Sequence, residues 1–164
     1  MLTIRPISNQ DLDFLYHVEN HPDYMKYGDH HEPYTLDTLK RFIVSAPKSI
    51  DTMGQLRYVI ESSNQAVGFI DLFDYNTQES SAYIGIIIDH PFRRQSFGQM
   101  ALKSLERLAN KKWGIKILRA KVFLDNAISI SFFNAFEYEL VSKCEAHNHK
   151  GILQKALILE KNIQ

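Results

Sequence analysis

Asp89-His90-Pro91-Phe92-Arg93-Arg94-Gln95-Ser96-Phe97-Gly98-Gln99-Met100-Ala101 joins an apolar run, Tyr83 to Ile88, to the clearest helix in the chain. The run is apolar at every position, so it reads as a strand buried on both faces and central to a sheet. Behind the turn, Phe97, Ala101, Leu105 and Leu108 share one helix face, Lys111 and Lys112 sit at the negative end, and Gly114 stops the helix. The first N–H groups of a helix lack intrahelical partners and lie at the positive end of its dipole. With Arg93 and Arg94 beside them, they suit a phosphorylated ligand such as a pyrophosphate. The same run also reads as a capping box, Ser96 accepting from N3 and Gln99 reaching back, which needs no ligand.

Upstream, Leu2 to Arg5 reads as a strand ended by Pro6. Ser8 or Asn9 caps a helix through about Asn20 with Leu12, Leu15 and Val18 inward. A polar, aromatic loop from His21 to Tyr34 follows, and Thr35 caps a helix carrying Leu36, Leu39, Phe42 and Ile43. Leu56 to Glu61, Ala66 to Phe73 and Ser81 to Ile88 read as an antiparallel meander. Downstream, Ile117 to Leu124 is a strand, and Asp125 or Asn126 opens a helix with Ile130, Phe133 and Phe136 inward. A hairpin, Tyr138 to Ala146 and Ile152 to Glu160, closes the chain. The order predicts one α/β domain over residues 1–164, a mixed sheet of about seven strands with four helices on both faces.

Bulk properties narrow the function. Nineteen basic and nineteen acidic residues cancel, which removes any whole-protein attraction to nucleic acid or anionic membrane. Cys144 is the only cysteine, so no disulfide framework exists, and its ordinary reading is a strand residue. No apolar run approaches the ~20 residues of a membrane span, and Met1 to Pro6 has no signal-peptide core. A cytoplasmic protein is expected. His30-His31-Glu32, with His21 upstream, lacks zinc-ligand spacing, so no metal is expected.

Arg93-Arg94-Gln95-Ser96-Phe97-Gly98 resembles the Gln/Arg-x-x-Gly-x-Gly/Ala signature of the GCN5-related N-acetyltransferase (GNAT) superfamily. The likeness runs along nearly the whole chain. Leu2 to Pro6 looks like that family's first strand and Ala66 to Leu72 like its third. Asp125-Asn126-Ala127-Ile128-Ser129 resembles the Asn-x-x-Ser segment of the branch that acetylates ribosomal-protein N-termini. The resemblance implies a sheet with splayed central strands. It implies acetyl-CoA as co-substrate, bound by Ile86, Ile87, Ile88, Arg93, Arg94, Gln95, Ser96, Phe97, Gly98, Gln99, Asn126 and Ser129. It further implies direct attack of a primary amine, from a small molecule or a protein N-terminus, on the thioester, and it leaves room for a homodimer.

Three positions depart from the family pattern. Ser96 stands at the usual first glycine and is expected to reshape the loop. Phe133 stands at the seventh position after Asn126, where relatives carry a proton-donating tyrosine, and cannot donate; the likeness to the Asn-x-x-Ser branch implies that Ser129 offers its hydroxyl to the sulfur. Glu137-Tyr138 replaces Gly-Phe and is expected to alter the turn into the hairpin. Asp71, Asp89, His90, Glu145, His147 and His149 are chemically eligible bases, each equally an ordinary surface or turn residue. By the same analogy the acceptor lies between the Asn20 to Tyr34 loop and the His147 to Gly151 hairpin. There Asp23, Asp29 and Glu32 could attract a cation, and Tyr24, Tyr27 and Tyr34 could contact it. The reading from another class is an acyl-CoA-binding module with little turnover, motivated by Phe133 and Ser96.

Overall fold

The computed structural model describes residues 1–28, 32–50 and 54–164. Seven strands form one sheet: β1 (Leu2–Pro6), β2 (Leu56–Ser62), β3 (Gln65–Asn76), β4 (Ser81–Ile88), β5 (Ile117–Phe123), β6 (Glu139–His147) and β7 (Leu153–Asn162). Their order is β1-β2-β3-β4-β5-β7-β6. All pairings are antiparallel except β4 with β5. The expected meander and closing hairpin are both present, with β4 at the centre.

Five α-helices are found among the described residues: α1 (Leu12–Glu19), α2 (Pro22–Met25), α3 (Leu36–Val44), α4 (Phe97–Trp113) and α5 (Ala127–Ala135). The extra one is α2, in the stretch read as loop. Proline at its first position presets the helical φ, and His21 caps it by accepting the Asp23 N–H at 3.2 Å. The first expected helix is split. Ser8 and Asp11 form a capping box around a single 3-10 turn, and α1 begins only at Leu12. Thr35 caps α3 as read, accepting the Thr38 N–H at 3.1 Å.

Alternation along the strands divides two cores. On one face Tyr58, Ile60, Ile70, Leu72, Ile84 and Leu118 pack under α4 and α5. On the other, Val59 and Phe69 pack against Leu15 and Val18 of α1, Tyr24 of α2, and Leu39 and Ile43 of α3. A period of two on the strands, met by helices above and below, gives this three-layer arrangement.

The turn after α5 keeps its shape without a glycine. Glu137 takes φ +72°, the Tyr138 N–H reaches the Phe133 carbonyl at 3.0 Å, and the Glu137 N–H reaches Asn134 at 3.2 Å. This is the Schellman closure that glycine usually serves. The expected change of turn therefore does not occur, and the strain sits on one residue instead.

Two measurements check these local arguments. Relief of the left-handed strain predicts that Glu137→Gly raises stability by about 0.5–1 kcal/mol in urea unfolding. Burial pushes the Asp11 carboxyl up, but two bonds from the Arg5 guanidinium at 2.8 and 2.9 Å and the Ser8 N–H hold it below the usual carboxylate range. A depressed folded pKa stabilises the native state above the unfolded value of about 3.9, and that contribution is lost as pH falls through the folded value. Asp11→Asn should therefore cost about 2 kcal/mol at pH 7, and its deficit relative to wild type should shrink below about pH 4.

Candidate active site

The site begins where β4 leaves β5. The two strands pair over only three positions, Ser81↔Ile117, Ala82↔Leu118 and Tyr83↔Arg119, although both run on to Ile88 and Phe123. On its other edge β4 stays in register with β3 through Ile88↔Gly68. The result is a wedge open along one edge of β4.

Hydrogen-bond alternation says which groups face that wedge. The Asp89 N–H donates to the Val67 carbonyl at 2.9 Å. In an antiparallel pair every second residue faces the partner. Ile87 therefore spends its backbone on β3, while Ile86 and Ile88 turn theirs toward the open side. The Ile88 carbonyl is taken by Arg93 Nε at 2.8 Å. Of the three isoleucines read as a binding strand, two present amides to the wedge.

β3 holds β4 unusually close. A Cβ on Gly68 would lie 2.1 Å from the Ile87 carbonyl oxygen, so only glycine fits. An irregularity in the β2–β3 register between Ile60 and Glu61 lies beside it.

Beyond β4 a 3-10 turn, His90–Phe92, leads into the basic loop. Arg94 and Ser96 both have left-handed backbone, at φ +61° and +64°. Ser96 makes no side-chain cap bond, so the capping-box reading fails and the N–H groups of the first α4 turn are not closed off by it. Left-handed residues beside a helix N-terminus form an anion-binding concavity. Ser96 thus adopts the conformation natural to glycine, at a cost of about 1 kcal/mol, and the loop is strained where reshaping was expected. The two arginines part company. Arg94 is exposed, whereas Arg93 folds back onto the Ile88 carbonyl with its guanidinium 5.4 Å from the Tyr24 ring centre. Gln95 Nε2 donates to the Pro91 carbonyl at 3.3 Å. Gly98 lets the first turn of α4 approach α5: its Cβ would sit 3.2 Å from the Phe132 ring and 3.7 Å from Ile88.

On α5, Asn126 is the cap, its Oδ1 accepting the Ser129 N–H at 3.3 Å. Ser129 is half-buried in the first turn. Phe133 is buried and packs edge-on against Phe132 and Tyr138, as a core residue does.

Just past the end of β4 lies a polar cluster of Asp89, His90 and Tyr24, each singled out in the sequence for another role, joined by His17, which was not. Buried Asp89 accepts from the Tyr24 hydroxyl at 2.5 Å and lies 3.2 Å from His17 Nε2. The His90 N–H donates to both the Tyr24 hydroxyl, at 2.7 Å, and Asp89, at 3.1 Å. Burial and the Asp89 carboxylate push the Tyr24 phenol up to about 12, so it stays a donor at neutral pH. Burial pushes Asp89 up, but the Tyr24 and His17 bonds outweigh it and leave the carboxyl below its ordinary value. Tyr24, read as an acceptor contact, is instead the bolt between α2 and the end of β4. Sequence singled out Asp89, His90 and Tyr24 separately, but nothing local in it brings them together or adds His17.

The other expected residues are scattered. Asp71 is gripped by Arg57 at 2.7 and 2.9 Å, and Arg57 also pairs with Glu19. Burial nonetheless leaves Asp71 above the usual carboxylate range. Tyr34 is pinned to Asn20 through its amide and carbonyl, at 2.7 and 3.0 Å. Glu145 and His147 stand on β6, three places along the sheet from β4, and His149 lies in the turn beyond. Asp29, His30 and His31 lie outside the described residues.

Residues 1–150 match the model of the acetyltransferase (GNAT) domain. The chain belongs to the GNAT acetyltransferase family. No curated protein matches it in sequence. Among solved structures, a spermidine N-acetyltransferase from Vibrio cholerae in complex with CoA and spermine superposes with TM-score 0.84 at 19% identity, over 98% of this chain and 95% of that one. The microcin C7 self-immunity acetyltransferase MccE, in complex with acetyl-CoA and AMP, gives 0.86 at 17% identity over 98% and 92%. A probable acetyltransferase gives 0.86 at 16% over the same shares. At these identities the likeness is one of fold, and the ribosomal-protein branch finds no support in it.

The β3–β4 contact should be a sensitive point of this GNAT domain. Gly68→Ala forces a Cβ onto backbone, so it should lower stability by about 1–3 kcal/mol in urea unfolding. By moving β4 it should also weaken acetyl-CoA binding, measured calorimetrically; an unchanged affinity would show that the strand does not shape the site.

Proposed function

We propose that this GNAT protein transfers acetyl from acetyl-CoA to a primary amine by direct attack in a ternary complex. The observation carrying this reading is the wedge beside β4. Amides of Ile86 and Ile88 face it, and it ends at an uncapped helix start flanked by Arg94. An extended pantetheine chain needs backbone partners, and a pyrophosphate needs converging N–H groups and positive charge. Arg94, Gln95, Ser96, Phe97, Gly98 and Gln99 would line the phosphates. Arg93 would brace the strand end and share its remaining donors.

In the reaction the neutral amine nitrogen adds to the thioester carbonyl carbon, the C–S bond breaks, sulfur leaves as thiolate, and the proton released from the nitrogen passes to water, with net formation of amide and CoA thiol. A wedge-facing N–H of β4 is aimed to meet the developing oxyanion. Ser129 is the hydroxyl offered to the thiolate, since buried Phe133 has no proton to give. Acceptors to weigh are polyamines, aminoglycosides and N-terminal peptides. A second reading, an acyl-CoA-binding module with little turnover, is favoured by Phe133 alone.

A ligand bound only by the native state must raise its stability, by about 2.7 kcal/mol at a hundred times Kd. Saturating acetyl-CoA should accordingly raise Tm, and Arg94→Ala should weaken binding about tenfold without lowering the Tm of the free protein. Absence of any stabilisation would sink both readings. Thiol release with one of the three amine classes would establish the enzyme, whereas binding without release across all of them would favour the module.

A further inference from the structure

We propose that His21, Asp23 and His90 form a binding site for a divalent transition-metal ion of the zinc class, braced between α2 and the turn that leads into the basic loop. Nothing in acetyl transfer calls for it, and it stands or falls separately from the reaction. The three side chains come from segments 69 residues apart, yet one ligand atom from each lies within 4.8 Å of the others. Two imidazoles and one carboxylate are the donor set that suits Zn²⁺, Co²⁺ or Ni²⁺ better than Mg²⁺ or Ca²⁺.

The cluster is held in place before any ion arrives. His21 and His90 each precede a proline, which restricts the backbone of both histidines. The His21 ring stacks on Tyr24 at 4.3 Å, and its partner ring, His90, lies 5.5 Å away. The His90 backbone is fixed by its bonds to the Tyr24 hydroxyl and Asp89, so the buried Tyr24–Asp89 pair positions both imidazoles. His90 Nε2 already lies 3.3 Å from Asp23 Oδ2. A neutral imidazole keeps a single lone pair. In His21 that lone pair is on Nδ1, where it accepts the Asp23 amide at 3.2 Å, and the ion would replace this long cap bond. Three protein ligands leave a position for water, and the side chains of Asp23 and His90 are 69% and 45% exposed, which gives the ion an entry path. Binding would tie α2 to the end of β4, since the ligands come from both.

The test uses the full chain after treatment with chelator. Calorimetry with Zn²⁺ and visible absorption with Co²⁺ should show one ion per chain, with a Tm raised by several degrees. His21→Ala/His90→Ala should abolish the absorption band. Asp23→Asn, a change at an exposed side chain, should weaken Zn²⁺ binding at least tenfold with circular dichroism unchanged. His147→Ala/His149→Ala should bind as wild type does. The proposal is overturned if wild type shows no Co²⁺ band, if binding survives the His21/His90 change, or if the hairpin pair proves to be the one required.

Discussion

The site depends on the early parting of β4 from β5. A parallel pair that ran its full length would satisfy the β4 amides within the sheet and leave no edge for a ligand. Here pairing stops after Tyr83, so Ile86 and Ile88 keep their backbone groups on an open side. The parting is made possible from the other edge. β4 is held by β3, drawn in to contact distance at Gly68, and its end is tied down by the Asp89 N–H and by Arg93. The strand keeps an open edge because its other edge is satisfied firmly enough.

The same strand end joins the two layers of helices. Arg93 touches the Ile88 carbonyl on one side and the Tyr24 ring on the other, and Tyr24 is bonded to Asp89. The basic loop and the α1–α2 corner are thus parts of one packed unit. An arginine that seemed free to meet a phosphate is largely engaged in holding this unit together, while its neighbour Arg94 is exposed. Two of the three eligible carboxylates are committed in the same way, Asp71 to Arg57 and Asp89 to Tyr24 and His17, and the third, Glu145, stands away on β6.

Two departures from the family pattern share one physical explanation. Ser96 and Glu137 stand where glycine is usual, and both take a positive φ. The turn at Glu137 keeps the closure that glycine usually serves. The surrounding packing, α4 against α5 in one case and Phe133 against Tyr138 in the other, imposes a conformation costing about 1 kcal/mol on each side chain. A substitution that looks like a change of shape in sequence has become a local store of strain.

The strands, the meander, the long helix with its Gly114 stop and the helix opened by Asn126 were legible in the sequence because short-range periodicity and caps specify them. So was the strand–turn–helix unit that carries the candidate phosphate site. The split of the first helix and the existence of α2 were not, since a capping box and a His-Pro pair look alike in loops and at helix starts. By itself the sequence determined the order of elements, the apolar faces and the placing of a basic turn after a central strand. The parting of β4 from β5 was expected only through the family likeness, and tertiary structure alone decided that Arg93 would turn inward and that His21, Asp23 and His90 would meet. Those outcomes rest on contacts between residues far apart in the chain, which local pattern does not encode.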